Sequence, residues 1–188
     1  MDKDLTSYVK VYNNWFDKEK CVETIRDIQN KEWHRHEFHY PSENTFITVN
    51  GEKELDITND SCLTSDYLHK RAWDGIHRYI SDLSFPWFDS WDGFTYFRFN
   101  RYKVDKKMAL HCDHIKTAFE GERRGVPVLS LLGILNDDYE GGEFVMWNDT
   151  TIELKTGDFL IFPSNFLYPH EVKEVTYGER YTMVSWVW

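Results

Sequence analysis

A chain of 188 residues suits one domain with a single large core. Its 41% hydrophobic and 17% aromatic content excludes a disordered chain. Its formal net charge of −10 argues against phosphate neutralisation, so no nucleic-acid partner is expected, and the overall field favours a neutral or basic substrate.

Cys21, Cys62 and Cys112 are widely spaced and form neither a disulfide framework nor a paired zinc motif, which fits a reducing compartment. The opening Met1-Asp2-Lys3-Asp4-Leu5 has no apolar signal core. No apolar run nears the ~20 residues of a membrane span. The expectation is a cytoplasmic protein without a membrane partner.

The first element in chain order is a strand around Tyr8–Tyr12. Asp17 is placed to cap a helix whose Cys21, Val22, Ile25 and Ile28 recur at helical spacing. His34 to Asn59 is polar, with Pro41, Asn44, Asn50 and Gly51, and reads as a long loop carrying short strands. Thr64 opens a second helix with an apolar stripe of Leu68, Ala72, Ile76, Tyr79, Ile80 and Leu83, and Pro86 lies beyond its end.

From Gly93 the pattern changes to short strands. Candidates are Phe94–Tyr102, Met108–Asp113, Val126–Leu135, Phe144–Trp147, Thr151–Leu154, Phe159–Phe162 and Arg180–Trp188. Turn material separates them, including Gly141-Gly142, Asn148-Asp149 and Gly157-Asp158. Many short strands at regular spacing predict a mostly β (α+β) sandwich or jelly roll with helices packed outside it. No linker divides the chain, so 1–188 is read as one domain, with 1–93 as support and 94–188 as the catalytic core.

On a strand, His111 and Asp113 leave the same face. One further imidazole, His170, completes two histidines and a carboxylate, a set that leaves coordination sites open and suits non-haem Fe(II). With eight histidines in the chain, a His-X-Asp pair alone is weak evidence and also fits a polar surface cluster. A rival zinc site from His111, Cys112 and His114 lacks the compact spacing of structural zinc sites. His34, His36, His39, His69 and His77 read as surface or packing histidines.

Arg180 follows the Tyr177-Gly178-Glu179 turn, which is expected to fold it and His170 onto neighbouring antiparallel strands. Its planar fork matches a carboxylate with two hydrogen bonds. Thr182 shares its face, and Val184, Trp186 and Trp188 continue it. Taken alone, Arg180 reads as a surface arginine opening a core strand; beside the metal motif, it suits a 2-oxo dicarboxylate gripped at both ends.

Taken in order, several motifs from Tyr96 to Trp188 resemble the Fe(II)/2-oxoglutarate dioxygenases, within them the prolyl 4-hydroxylase-like group. They are Arg101-Tyr102, His111-Cys112-Asp113, Glu140-Gly141-Gly142-Glu143, Thr156-Gly157-Asp158, Pro169-His170-Glu171-Val172, and Gly178-Glu179-Arg180 with Trp186. The resemblance implies a double-stranded β-helix with flanking helices. It implies that His111, Asp113 and His170 ligate iron and that Arg180, Tyr102 and Thr182 bind 2-oxoglutarate. Met108, Ile134 and Trp186 are candidate pocket walls. Ile134 stands where oxygen-sensor members carry tyrosine, Arg180 stands where collagen-type members carry lysine, and the 117–125 loop matches no family motif.

The implied cofactors are Fe(II), 2-oxoglutarate and O2, with ascorbate stimulatory. The implied activity is hydroxylation of a C–H bond, foremost on prolyl residues of a peptide or protein. Another amino-acid side chain, a free amino acid, a nucleobase, and a non-catalytic jelly-roll binding module remain alternatives. An intact carboxylate at Asp113 favours hydroxylation over halogenation, because related halogenases lack it.

Overall fold

The strands of this chain are short because turn residues interrupt them, so stability comes from pairing between segments distant in sequence. The computed structural model describes residues 4–40, 45–47, 52–84, 91–113 and 126–188, with backbone alone for 38–40 and 45–47. Pro41, Asn44, Asn50, Gly51, Pro86, His114 and the 117–125 loop lie outside the described residues.

After a 3-10 turn at Leu5–Tyr8 come β1 (Lys10–Tyr12), α1 (Lys18–Ile28), β2 (His34–Arg35), β3 (Phe38–Tyr40), β4 (Thr45–Ile47), β5 (Asp56–Thr58) and α2 (Ser65–Leu83). The second half holds β6 (Arg98–Tyr102), β7 (Met108–His111), β8 (Leu129–Ile134), β9 (Glu140–Gly141) and β10 (Phe144–Met146). It continues with β11 (Thr150–Ile152), β12 (Phe159–Pro163), β13 (His170–Val172), β14 (Val175–Tyr177) and β15 (Arg180–Val187).

Both helices begin where the sequence predicts, but neither N-cap side chain caps. The Thr64 hydroxyl is instead engaged with that of Thr24 at 2.5 Å, tying α2 to α1. Ser84 ends α2 in the left-handed conformation, its N–H donating to the Ile80 carbonyl. The strand expected over Phe94–Tyr102 is regular only from Arg98; Phe94 makes an isolated bridge to Val187.

Among the described residues, the main sheet has the order β1-β12-β8-β15-β6-β5-β2, and a smaller one runs β11-β10-β13-β7. Every pairing between strands is antiparallel. β1, β2 and β5, from the half expected to be support, extend the main sheet. The two sheets face each other, because Tyr102, Leu132 and Phe162 of the main sheet share one buried cluster with Met108, Phe144 and Val172 of the smaller one. The fold is a double-stranded β-helix with α1 and α2 on its outer face.

The helices cover the opposite face of the main sheet. Phe99, Leu131, Phe159, Ile161, Tyr181 and Met183 meet Ile76, Tyr79 and Leu68 there. Gly75 permits this close packing, since a Cβ at that position would lie 2.4 Å from the Phe159 ring.

One expectation is corrected. His170 and Arg180 do not lie on neighbouring strands. β13 is flanked by β10 and β7 in the smaller sheet, and β15 by β8 and β6 in the main one. Both edges of each strand are already taken, so the chain crosses from one sheet to the other through β14, which pairs with β9.

Candidate metal and co-substrate site

The pleat of two adjacent strands, β6 and β15, brings one set of side chains into the space between the sheets. On β6 the inward row is Arg98, Asn100 and Tyr102, and on β15 it is Arg180, Thr182, Val184 and Trp186. The registers Arg180↔Tyr102, Thr182↔Asn100 and Val184↔Arg98 align these rows. From the smaller sheet, β7 and β13 place His111 directly opposite His170.

Asp113 lies just past the end of β7, yet its carboxylate reaches both imidazoles. Its Oδ1 is 3.4 Å from His111 Nε2 and 3.9 Å from His170 Nε2. One ligand atom from each residue lies within 4.8 Å of the others. His111 Nδ1 meets the Ala109 carbonyl at 2.8 Å, and His170 Nδ1 meets the Tyr168 carbonyl at 3.1 Å. A carbonyl only accepts, so each Nδ1 carries the proton and each Nε2 turns its lone pair toward Asp113. Three electron-rich atoms thus converge on one point, an arrangement that a cation relieves.

The protonation states agree. Burial pushes His170 down to about 4, with His111 adding to the effect, so at neutral pH the ring is an available ligand. Burial alone would raise the Asp113 carboxyl, but His170 and His111, charged at the acid pH where that carboxyl would titrate, and Ser130 outweigh it and hold it well below the usual carboxylate range. Ser130 Oγ donates to Asp113 Oδ2 at 2.6 Å. Its single proton is therefore committed, so Ser164, at 2.7 Å, must donate to Ser130. This relay occupies Oδ2 and leaves Oδ1 facing the imidazoles. Two imidazoles and one carboxylate fit Fe(II) with positions to spare.

Arg180 is 1% exposed and has no carboxylate partner among the described residues. Its Nε donates to the Tyr139 hydroxyl at 3.2 Å, and its guanidinium lies 5.0 Å from the centre of the Tyr102 ring. Among the described residues, Arg180 Nη1 and the fully buried Thr182 Oγ1 have no hydrogen-bond partner. A buried, unpaired guanidinium is costly, and a bound carboxylate would offset that cost. Tyr102 and Phe144 line the cavity beside His111, Asp113 and His170. Phe144 also lines an adjoining pocket with Arg180.

Met108 and Trp186 line the same cavity as His111, Asp113 and His170. Ile134 pairs with Thr182 and is fully buried in the cluster between the sheets. Trp188 instead closes the outer end of β15, its ring packed on Gly93. Cys112 is half-buried, and no zinc grouping of His111 with Cys112 occurs among the described residues.

Arg98, Asn100, Ser130, Ser164 and Tyr139 surround these groups, and the sequence around Ser130, Ser164 and Tyr139 carries no signature of that. For Arg98 and Asn100 the signal was present: the alternation ending at Tyr102 puts all three on one face.

The segment 97–188 matches the family model described as the 2OG-Fe(II) oxygenase superfamily. Residues 97–188 thus belong to the 2OG-Fe(II) oxygenase superfamily. A PKHD-type hydroxylase of Psychrobacter sp. (strain PRwf-1) is 36% identical over 95 residues, covering 47% of this chain and 36% of that protein. A PKHD-type hydroxylase of Maricaulis maris (strain MCS10) is 38% identical over 77 residues, covering 39% and 34%. The chain thus spans about a third of the length of these curated relatives.

Solved structures show the same fold. A Trichoplax adhaerens prolyl hydroxylase in complex with a hypoxia inducible factor oxygen degradation domain peptide fragment superposes with a TM-score of 0.71 at 18% identity, over 97% of this chain and 84% of that one. A Pseudomonas putida prolyl-4-hydroxylase gives 0.65 at 18% identity, over 96% and 91%. For this superfamily member, Fe(II), 2-oxoglutarate and O2 are the implied reactants. No helix among the described residues is long and apolar enough to cross a membrane.

Proposed function

We propose that this chain is an Fe(II)- and 2-oxoglutarate-dependent dioxygenase that hydroxylates a C–H bond, foremost on prolyl residues of a peptide or protein. The observation that carries this reading is the convergence of His111, Asp113 and His170 beside a buried arginine that meets no anion among the described residues. The peptide-bound prolyl hydroxylase with the same fold supports a peptide or protein substrate. Residues 1–188 act as one domain, with 94–188 the catalytic core and 1–93 its support. Three free thiols fit a reducing, cytoplasmic setting.

His111, Asp113 and His170 hold the metal, and Ser130 keeps the Asp113 carboxylate turned so that Oδ1 is the ligand atom. Arg180 and Thr182 receive the distal carboxylate of 2-oxoglutarate, with Tyr102 as the wall beneath it. Met108, Phe144 and Phe162 exclude water from the space between, which strengthens each of these electrostatic contacts. When bound, the iron centre supplies the oxidation that puts one oxygen atom of O2 on the substrate carbon and the other in succinate, with release of CO2. Trp186 forms part of the wall facing the substrate.

The test combines protein, Fe(II), 2-oxoglutarate, ascorbate and a library of proline-containing peptides. Succinate release with a 16-dalton peptide gain is expected, stimulated by ascorbate and absent in His170→Ala. Equal succinate from wild type and His170→Ala would overturn the reading.

A further inference from the structure

The metal-side cavity contains a second arginine that the proposed chemistry leaves without a role. Arg98 shares the inward row of β6 with Asn100 and Tyr102 and lines the cavity together with His111, Asp113 and His170. Its setting is built. Nε donates to Asn100 Oδ1 at 3.2 Å, and the guanidinium carbon lies 4.9 Å from the centre of the Trp186 ring. The stacking and the Nε bond fix the plane of the fork of this half-buried side chain, and neither Nη group is committed to a partner among the described residues.

No carboxylate lies within ion-pair distance of Arg98 among the described residues. Arg101, the outward-facing arginine of the same strand, shows the contrast: it holds Asp56 at 2.9 Å and stacks on Trp33. The anion whose field reaches Arg98 is Asp113, which supports its charge against burial. Asp113 is committed elsewhere, Oδ2 to Ser130 and Oδ1 to the point shared with the imidazoles.

The charge balance sharpens this. On the reading proposed above, a divalent metal, Asp113, Arg180 and a doubly charged 2-oxo diacid form a neutral set. Arg98 stands outside it as one surplus cation. The net charge of −10 repels acids from the molecule as a whole, so an acidic ligand needs a dedicated local cation.

We infer that Arg98 is a carboxylate receptor at the metal end of the cavity, distinct from Arg180 and oriented by Asn100 and Trp186. The carboxylate comes from one of two sources, the metal-proximal end of the 2-oxo acid or an acidic group on the molecule being hydroxylated. This rests on the proposed function, and the experiment separates the two.

The experiment uses full-length protein loaded with Mn(II) under argon, so binding is read without turnover. Calorimetry measures 2-oxoglutarate affinity in wild type, Arg98→Gln, Arg98→Lys and Arg180→Met. A second arm titrates the 2-oxoglutarate complex with blocked peptides bearing a central proline flanked by Glu or by its neutral isostere Gln.

If the 2-oxo acid is the source, Arg98→Gln weakens 2-oxoglutarate binding at least tenfold, and Arg98→Lys recovers part of it. If the substrate is the source, 2-oxoglutarate affinity holds. Wild type then binds Glu peptides at least tenfold more tightly than Gln peptides, and Arg98→Gln abolishes that ratio. Unchanged 2-oxoglutarate affinity in Arg98→Gln, with no Arg98-dependent preference for Glu peptides, overturns the inference. Loss of affinity in Arg180→Met alone would then leave the proposed function standing. Wild type that binds neither Mn(II) nor 2-oxoglutarate removes both.

Discussion

The two faces of the main sheet are made by the same strands and do opposite work. Along β15, Tyr181, Met183 and Val187 turn toward the helices, while Arg180, Thr182, Val184 and Trp186 turn toward the smaller sheet. The helix-side face is almost wholly apolar and closely packed, with Phe159 edge-on to Phe16 at 5.1 Å. The other face is also buried, but it carries polar atoms at Arg180 and Thr182 that meet no partner among the described residues, and converging electron-rich atoms at Asp113, His111 and His170. One face therefore stabilises the fold, and the other lowers stability to keep a site prepared for charged ligands. A period of two residues is what lets one strand serve both.

Substitutions on the two faces should separate stability from binding, and the largest effect lies on the scaffold side. Phe159→Ala removes a ring packed against Phe16, Trp15 and α2. It should cost about 3–5 kcal/mol in urea unfolding, while the metal affinity of the folded fraction holds. A comparable loss of metal affinity would show that the faces are not separable.

Asp113→Ala tests the opposite side. It should weaken Fe(II) or Co(II) binding by more than about 100-fold, exceeding the 10–100-fold typical of outer-shell partners. The metal-free protein should melt within a few degrees of wild type, because the change relieves three electron-rich atoms held together. A large drop in the metal-free melting temperature would mark Asp113 as structural. Ser130→Ala should act more mildly, weakening metal binding by about 10–100-fold, since it releases Oδ2 without removing the ligand. Unchanged metal affinity would show that the Ser164–Ser130 relay does not orient the carboxylate.

Much of this division was legible in the sequence. The near-continuous apolar run over Val126–Leu135 and the short apolar segments at Phe159–Phe162 and Arg180–Trp188 mark buried strands, and α1 and α2 follow from their apolar stripes. His111 and Asp113 could be assigned to one face because that inference is local. The position of His170 relative to Arg180 could not, because it depends on which strand edges are already occupied by distant segments. Ser130 and Ser164 sit in apolar stretches where a small hydroxyl looks incidental. Their role appears only when β8 and β12 are brought beside Asp113. Buried Glu54, 3.7 Å from His36, was hidden within a polar stretch that reads as loop.

The smallest expected effect concerns the boundary between the faces and the turns that carry them. Gly142 adopts a φ of +66°, a conformation that costs an L-residue about 1–2 kcal/mol. A Cβ there would also lie 3.1 Å from Arg180 Cδ and 3.0 Å from a Val175 methyl. Gly142→Ala should therefore lose about 1–2 kcal/mol of stability from backbone strain alone. On the proposed function it should in addition weaken 2-oxoglutarate binding, because the guanidinium must shift while His111 on β7 and His170 on β13 stay in place. Metal affinity is the internal control: it should be unchanged. If stability falls but 2-oxoglutarate affinity does not, Gly142 serves the turn alone, and the room it leaves beside Arg180 has no part in binding.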